Sequence, residues 1–166
     1  MRKISLLVLL ILAPLSVQAA DRPIGSTYVC TNIHDYDCTV DTAWVKLRDW
    51  ALAWSNHNTD AYFSFYKPKV SPDPELSFDD WRMRRYVRVS KQREIGIVIY
   101  ALNIEVVPNE RVRITFIQRY TSPTYSDDVV KEIDFEFIEN DLQMIREVVI
   151  KEITPEEFDQ IIKEKR

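Results

Sequence analysis

Near Ile95 the spacing of apolar residues changes from three-and-four to two. A chain whose periodicity switches once in this way is confined to helices followed by an antiparallel meander. Before the switch, Trp44, Leu47, Trp50, Ala51 and Trp54 fall on one stripe of a helix over about Val40–Ser55, with Thr39 or Asp41 as its cap and Asn56-His57-Asn58 as its break. A second helix, roughly Thr59–Tyr66, has to stop before Pro68, and Pro68, Pro72 and Pro74 then make a stiff loop. The third runs from Phe78 to about Arg93, with Asp79 and Asp80 in the first turn and basic residues after them, matching the helix dipole. Met83, Tyr86 and Val87 share one of its sides while Trp81 and Arg85 share the opposite one, which implies two neighbours, or one neighbour and a pocket.

After the switch, Val98, Tyr100, Leu102, Ile104 and Val106 share one face of a first strand. In the second, Val112, Ile114, Phe116, Gln118 and Tyr120 alternate with Arg111, Arg113, Thr115, Ile117 and Arg119, the pattern of a half-buried strand. The third sets Lys131, Ile133, Phe135 and Phe137 against Glu132, Asp134 and Glu136. Asn140-Asp141 turns into a fourth strand ending near Glu152, and Thr154-Pro155 opens a short terminal helix. The fold class is therefore α+β: about four antiparallel strands packed against three N-terminal helices, with a short C-terminal helix.

Composition removes several functions. Of the 166 residues only Gly25 and Gly96 are glycine, so no Gly-rich dinucleotide turn or phosphate loop can be built. Two histidines and two cysteines lack the spacing of a closed zinc site, and neither a metal nor a cofactor is expected. Arg2 and Lys3, an apolar run from Ile4 to Leu12 and the stretch Val17-Gln18-Ala19-Ala20 have the layout of a signal peptide cut after Ala19. The run is too short to span a bilayer, so a soluble periplasmic or secreted protein is expected, with no membrane insertion after cleavage. Loss of Arg2 and Lys3 takes the formal charge from −4 to −6, which disfavours nucleic acid as a partner. The series Arg82, Arg84, Arg85, Arg88, Lys91 and Arg93 is spread around its helix and reads as a solvated surface. Export also favours a disulfide between Cys30 and Cys38. The expected organisation is a signal peptide at 1–19, a disulfide-closed segment at 20–40, one domain at 41–153 and the terminal helix at 154–166.

Pairing the second and third strands with their apolar faces together allows a register in which Phe116 opposes Ile133 and Gln118 opposes Lys131, with Arg113 beside Glu136 and Arg119 near Glu132. An ammonium on the core side is costly to bury alone. Either Gln118, Tyr120 and Lys131 lie beyond the core edge with Lys131 snorkelling outward, the simpler arrangement, or an anionic or hydrogen-bonding partner reaches it.

One constellation in this layout is recognisable: Trp50, Ala53-Trp54-Ser55, Asp60, Phe63, Tyr66, Trp81 and Arg85, then Gln118, Tyr120, Tyr125, Asp127, Lys131 and Glu147. It resembles the SnoaL-like domain of the nuclear transport factor 2 superfamily, in the version attached to the C-terminal side of some bacterial L,D-transpeptidases, over roughly Asp41–Ile153. It departs at the fourth strand, where Asp141-Leu142-Gln143-Met144 replaces a Gly-x-Trp-Lys-Ile-like start. The resemblance implies a cone, a curved sheet folded around three helices, with Trp54, Tyr66, Trp81, Arg85, Gln118, Tyr120 and Lys131 lining or supporting its cavity. Enzymes of the superfamily place a carboxylate or a His/Asp pair inside the cone; here the inward positions of the second and third strands hold no Asp, Glu or His. The expectation is a noncatalytic exported module binding a small molecule, an envelope glycan or peptide, or a protein partner. The alternative is a small lyase or hydrolase using Asp60 or Glu147 as base, with Arg85 or Tyr66 as electrophile, although strict alternation points Glu147 outward unless a bulge intervenes.

Overall fold

The computed structural model describes residues 36–91, 94–139 and 141–164. The expected signal peptide and Cys30 lie outside the described residues, and with them the expected disulfide.

The helical stripe buries as its spacing requires. Helix α1 (Tyr36–Ser55) places Ala43, Leu47, Trp50, Ala51 and Trp54 in the core, and it begins four residues before the expected Val40, so a segment boundary at residue 40 falls inside the helix. It ends where His57 adopts φ 57°, and the His57 ring donates through Nδ1 to the Val89 carbonyl oxygen at 2.9 Å. The Asn58 side chain then caps α2 (Thr59–Ser64) by accepting from the Ala61 N–H. This second helix stops two residues short of the expected Tyr66, because the chain there docks on the sheet: Met144 N–H donates to the Phe65 carbonyl and Lys67 N–H to the Met144 carbonyl. The proline-rich loop continues along the same edge, its Pro72 carbonyl accepting from Glu147 N–H. Unpaired groups of an edge strand are thereby covered. Helix α3 (Phe78–Lys91) follows, with Ser77 accepting from the Asp80 N–H.

Strands β1 (Gly96–Val107), β2 (Arg111–Thr121), β3 (Ser126–Ile138) and β4 (Asp141–Glu152) form one antiparallel curved sheet in sequence order, followed by α4 (Pro155–Glu164). The inner faces of β2 and β3 are as the alternation requires: Val112, Ile114, Phe116, Gln118 and Tyr120 are buried, as are Lys131, Ile133 and Phe135. In β1 the expectation fails. Ile97, Ile99 and Ile104 pack on the main core, Val98 and Tyr100 are exposed, and Leu102 joins the opposite face. The cause is a bulge: Ala101 pairs with Phe116 and Asn103 with Thr115, leaving Leu102 extra and reversing the parity of the strand. Because Ile97 to Ala101 are all apolar, the alternation could not choose a face.

The β2–β3 register is two residues from the expected one. Ile114 opposes Ile133, Phe116 opposes Lys131 and Gln118 opposes Val129, because the turn is confined to Ser122–Tyr125 and both strands run longer. A two-residue slip preserves the faces but exchanges the ion pairs. Arg113 forms a two-pronged pair with Asp134 at 2.8 and 3.0 Å, and Arg119 one with Asp128 at 2.7 and 2.8 Å, in place of the expected Glu136 and Glu132 partners. On this outer face α4 lays Phe158 against Ile117, Val130 and Ile153, and the Arg119 guanidinium sits 3.6 Å from the Phe158 ring centre.

Among the described residues, no helix is long and apolar enough to cross a membrane, and no group of three or more His, Cys, Asp or Glu is placed to hold a metal ion.

Candidate functional site

The inner surface of the sheet becomes polar where β4 breaks its alternation. Phe135 pairs with Met144 and Asp134 with Arg146, so Ile145 is an extra residue, and Glu147 follows Leu142 and Met144 onto the core side opposite Ile133. The side chain of Glu147 is 1 % exposed and accepts from three side chains. Lys131 Nζ lies 2.7 Å and Arg85 Nη2 2.9 Å from Oε1, and Tyr66 donates its hydroxyl to Oε2 at 2.8 Å.

Proton accounting extends the network. Tyr66 spends its one hydroxyl proton on Glu147, so it accepts from Tyr62 at 2.8 Å and from Trp50 Nε1 at 2.9 Å. The Lys131 ammonium also lies 5.7 Å from the Trp50 ring centre and 5.5 Å from that of Trp54. Lys131 is thus buried, not snorkelling beyond the core edge, and Glu147 is the anion that reaches it.

This arrangement sets the titration of each member. Burial alone would push the Glu147 carboxyl up, but Arg85 and then Lys131 overcome it and hold the group down at about 2. Burial lowers the Lys131 ammonium below the ordinary lysine value, with Arg85 adding to the effect against the pull of Glu147. Burial raises the Tyr62 hydroxyl to about 12, and burial together with the Glu147 charge raises Tyr66 well above the ordinary tyrosine value. At neutral pH Glu147 is an anion and neither tyrosine ionises. The folded pKa of Glu147 lies below its ordinary value of 4.5, so its contribution is fully present above pH 4.5 and is lost as pH falls towards 2. It amounts to about 3 kcal/mol. Urea midpoints should therefore hold level down to pH 5 and drop steeply between pH 4.5 and 2.5, and Glu147→Gln should remove most of that drop.

Beside this network a cleft of about 260 Å³ opens, lined by Trp54, Arg85, Arg88, Gln118, Tyr120, Ser122, Tyr125, Asp127, Val129, Lys131 and Val149. Five of the seven site residues expected from sequence meet here: Trp54, Arg85, Gln118, Tyr120 and Lys131. Tyr66 and Trp81 do not line it. Tyr66 stands behind it and orients Glu147, while Trp81 packs on Tyr66 with ring centres 4.7 Å apart, and both line a second cleft. Asp60 is exposed in the first turn of α2 and lines neither cleft.

The sequence reading missed Arg88, whose signal was its place one turn beyond Arg85, and Val149 at the end of the bulged strand. Tyr125 and Asp127, present in the constellation but not expected in the wall, are joined by the Tyr125 hydroxyl donating to Asp127 Oδ2 at 3.1 Å. The divergent start of β4 has a structural role, since Leu142 and Met144 fill the core below the cleft.

Four buried polar atoms of cleft residues have no hydrogen-bond partner among the described residues: Trp54 Nε1, Arg85 Nη1, Gln118 Oε1 and Asp127 Oδ1. Buried polar atoms are ordinarily satisfied. The residues that carry these two donors and two acceptors line one concavity with aromatic walls, which suits a ligand bearing both kinds of group.

Comparison with known proteins agrees with the architecture. Bd1075 of Bdellovibrio bacteriovorus superposes with a TM-score of 0.58 at 22 % identity, covering 74 % of this chain and 42 % of that one. The helical cell shape determining protein Pgp2 of Campylobacter jejuni gives 0.51 at 23 % identity, covering 62 % of this chain and 38 % of that one. An NTF2-like protein of unknown function from Shewanella oneidensis MR-1 gives 0.59 at 13 % identity, covering 67 % of this chain and 98 % of that one. This chain thus spans less than half the length of Bd1075 and of Pgp2. No curated protein matches it. The family model of the Cds6 C-terminal NTF2-like domain matches residues 42–148, which take in most of α1, all of α2 and α3 and nearly all of the sheet, and the chain belongs to that family.

Proposed function

We propose that this NTF2-like domain is a noncatalytic, exported binding module whose cleft takes a small polar ligand from the cell envelope, a glycan or peptide fragment carrying both hydrogen-bond donors and acceptors. The observation that carries the reading is the set of unsatisfied atoms on Trp54, Arg85, Gln118 and Asp127 around one concavity. A ligand that pairs with them relieves a desolvation cost the free protein bears. Glu147 supports binding and not proton transfer: its oxygens are held by Lys131, Arg85 and Tyr66, and an anion held far below neutral is a weak base. Asp60 is exposed and lines neither cleft. Export is supported by the arrangement of Arg2, Lys3 and the apolar run that follows. Pgp2 is named for determining helical cell shape, and a role at the envelope is proposed here on the residues of this chain.

The test is a ¹H–¹⁵N NMR titration with a soluble disaccharide–tetrapeptide fragment of peptidoglycan. Saturable shifts of the Trp54 indole and the Gln118 amide are expected, with affinity falling about 10-fold in Gln118→Leu. Absence of shifts at these groups, or an affinity indifferent to Gln118→Leu, would count against the proposal.

A further inference from the structure

We infer that the second cleft, on the far side of the Tyr66–Trp81 wall, is a separate binding site for an aromatic carboxylate. It encloses about 340 Å³ between α2, the following proline-rich loop and the start of α3. Phe63, Phe78 and Trp81 supply its aromatic surface, and Lys67, Lys69 and Arg82 its charge. Among the described residues, no carboxylate lines it.

The three cations are not equivalent. Lys67 is neutralised by Glu136 at 2.5 Å. Among the described residues, Lys69 and Arg82 form no ion pair. The Arg82 guanidinium lies 4.7 Å from the Phe63 ring centre, a stacked placement that leaves its edge N–H groups free to meet an anion. Lys69 stands at φ 59° after Pro68, and Val70 N–H donates back to the Lys67 carbonyl at 3.3 Å. That is a turn with a proline at its second position and a left-handed residue at its third, where glycine or asparagine is favoured. A lysine there costs about 1 kcal/mol of backbone energy, and it sets an ammonium on the rim. Beneath the cations, Trp81 is 2 % exposed and its indole N–H has no acceptor among the described residues.

A flat ring against Phe63, Phe78 and Trp81, with a carboxylate reaching Lys69 and Arg82, satisfies the surface and the charge together. A neutral aromatic leaves both cations unpaired, and a bare anion leaves the rings uncovered. The same chemistry occurs in a free aryl acid and in a polypeptide segment where an aromatic residue adjoins an acidic one.

Titration of the ¹⁵N-labelled protein, with the Trp81 indole resonance assigned through Trp81→Phe, tests the inference. The probes are phenylacetate, a blocked Phe-Glu dipeptide, and benzyl alcohol as the uncharged control. A saturable shift of the Trp81 indole is expected with phenylacetate, the dipeptide or both. Benzyl alcohol should bind about 10-fold more weakly, and Lys69→Glu and Arg82→Glu, both at exposed positions, should each weaken binding of the acids about 10-fold. Tighter binding of phenylacetate indicates a free acid as the source, and tighter binding of the dipeptide a protein segment. Gln118→Leu should leave these affinities unchanged, which separates this site from the first cleft. No saturable shift into the millimolar range, equal binding of benzyl alcohol, or indifference to both charge reversals would overturn it.

Discussion

Glu147→Leu is expected to lower the unfolding free energy by about 3–5 kcal/mol, because it strands two buried cations. Lys131 Nζ and Arg85 Nη2 both rest on Glu147 Oε1, and the side chains of Lys131 and Arg85 are 5 % and 14 % exposed. Among the described residues no second carboxylate hydrogen-bonds to Lys131 or Arg85, and Asp73 acts on Arg85 only through its charge, as the weakest of the influences on it. Lys131→Met should cost distinctly less, since Arg85 still neutralises Glu147 and a flexible apolar chain fills the space. The sequence alone suggests that Lys131→Ala abolishes binding and leaves the fold intact. With Lys131 ion-paired inside the core, loss of binding in that variant should instead be accompanied by measurable destabilisation. Chemical denaturation of the single variants and of the Lys131→Met/Glu147→Leu pair would establish the order. The double variant should be more stable than the sum of the two single losses, as coupled partners require. A Glu147→Leu loss below about 1 kcal/mol would mean that the ion pairs are open to water.

Arg85→Met should weaken binding of the peptidoglycan fragment by about 10–100-fold, the loss of one charge-assisted hydrogen bond. Arg85 faces two ways: Nη2 holds Glu147 while buried Nη1 has no partner among the described residues, and the guanidinium lies 5.7 Å from the Trp54 ring centre. The stability loss should be smaller than in Glu147→Leu, because Lys131 still compensates the carboxylate. A fall in stability with undiminished affinity would assign Arg85 to the scaffold alone.

Much of the fold is legible in the sequence because burial follows period. The spacing of Leu47, Trp50, Ala51 and Trp54 fixes the inner side of α1, and the alternation along β2 and β3 fixes which residues face the helices. What the pattern does not carry is where the ladder skips a residue. Leu102 and Ile145 are both bulged; the first reverses the face of the rest of β1, and the second reverses β4 as far as Val149, before another skip at Ile150. The first error misassigns apolar residues and changes little about the site. The second conceals its central group, because strict alternation turns Glu147 out to solvent. The two-residue register shift between β2 and β3 has the opposite character. It leaves Gln118 and Lys131 on the inner face and redistributes only the outer Arg–carboxylate pairs. Trp54, Arg85, Gln118, Tyr120 and Lys131 all line the first cleft, whereas the separation of Tyr66 and Trp81 into a second cleft depends on where α2 ends and no periodic signal marks it.

The central claim is that the buried carboxylate of β4 is a clamped anion, which leaves the rest of the cleft free for recognition. Selective ¹³C labelling of glutamate, followed by an NMR pH titration of the Glu147 side-chain carboxyl, reads this directly. Continued ionisation down to pH 3, with a midpoint near 2, is the expected result. A midpoint between pH 5 and 7 would show a group poised to accept protons, and would contradict the binding-module account in favour of acid–base catalysis.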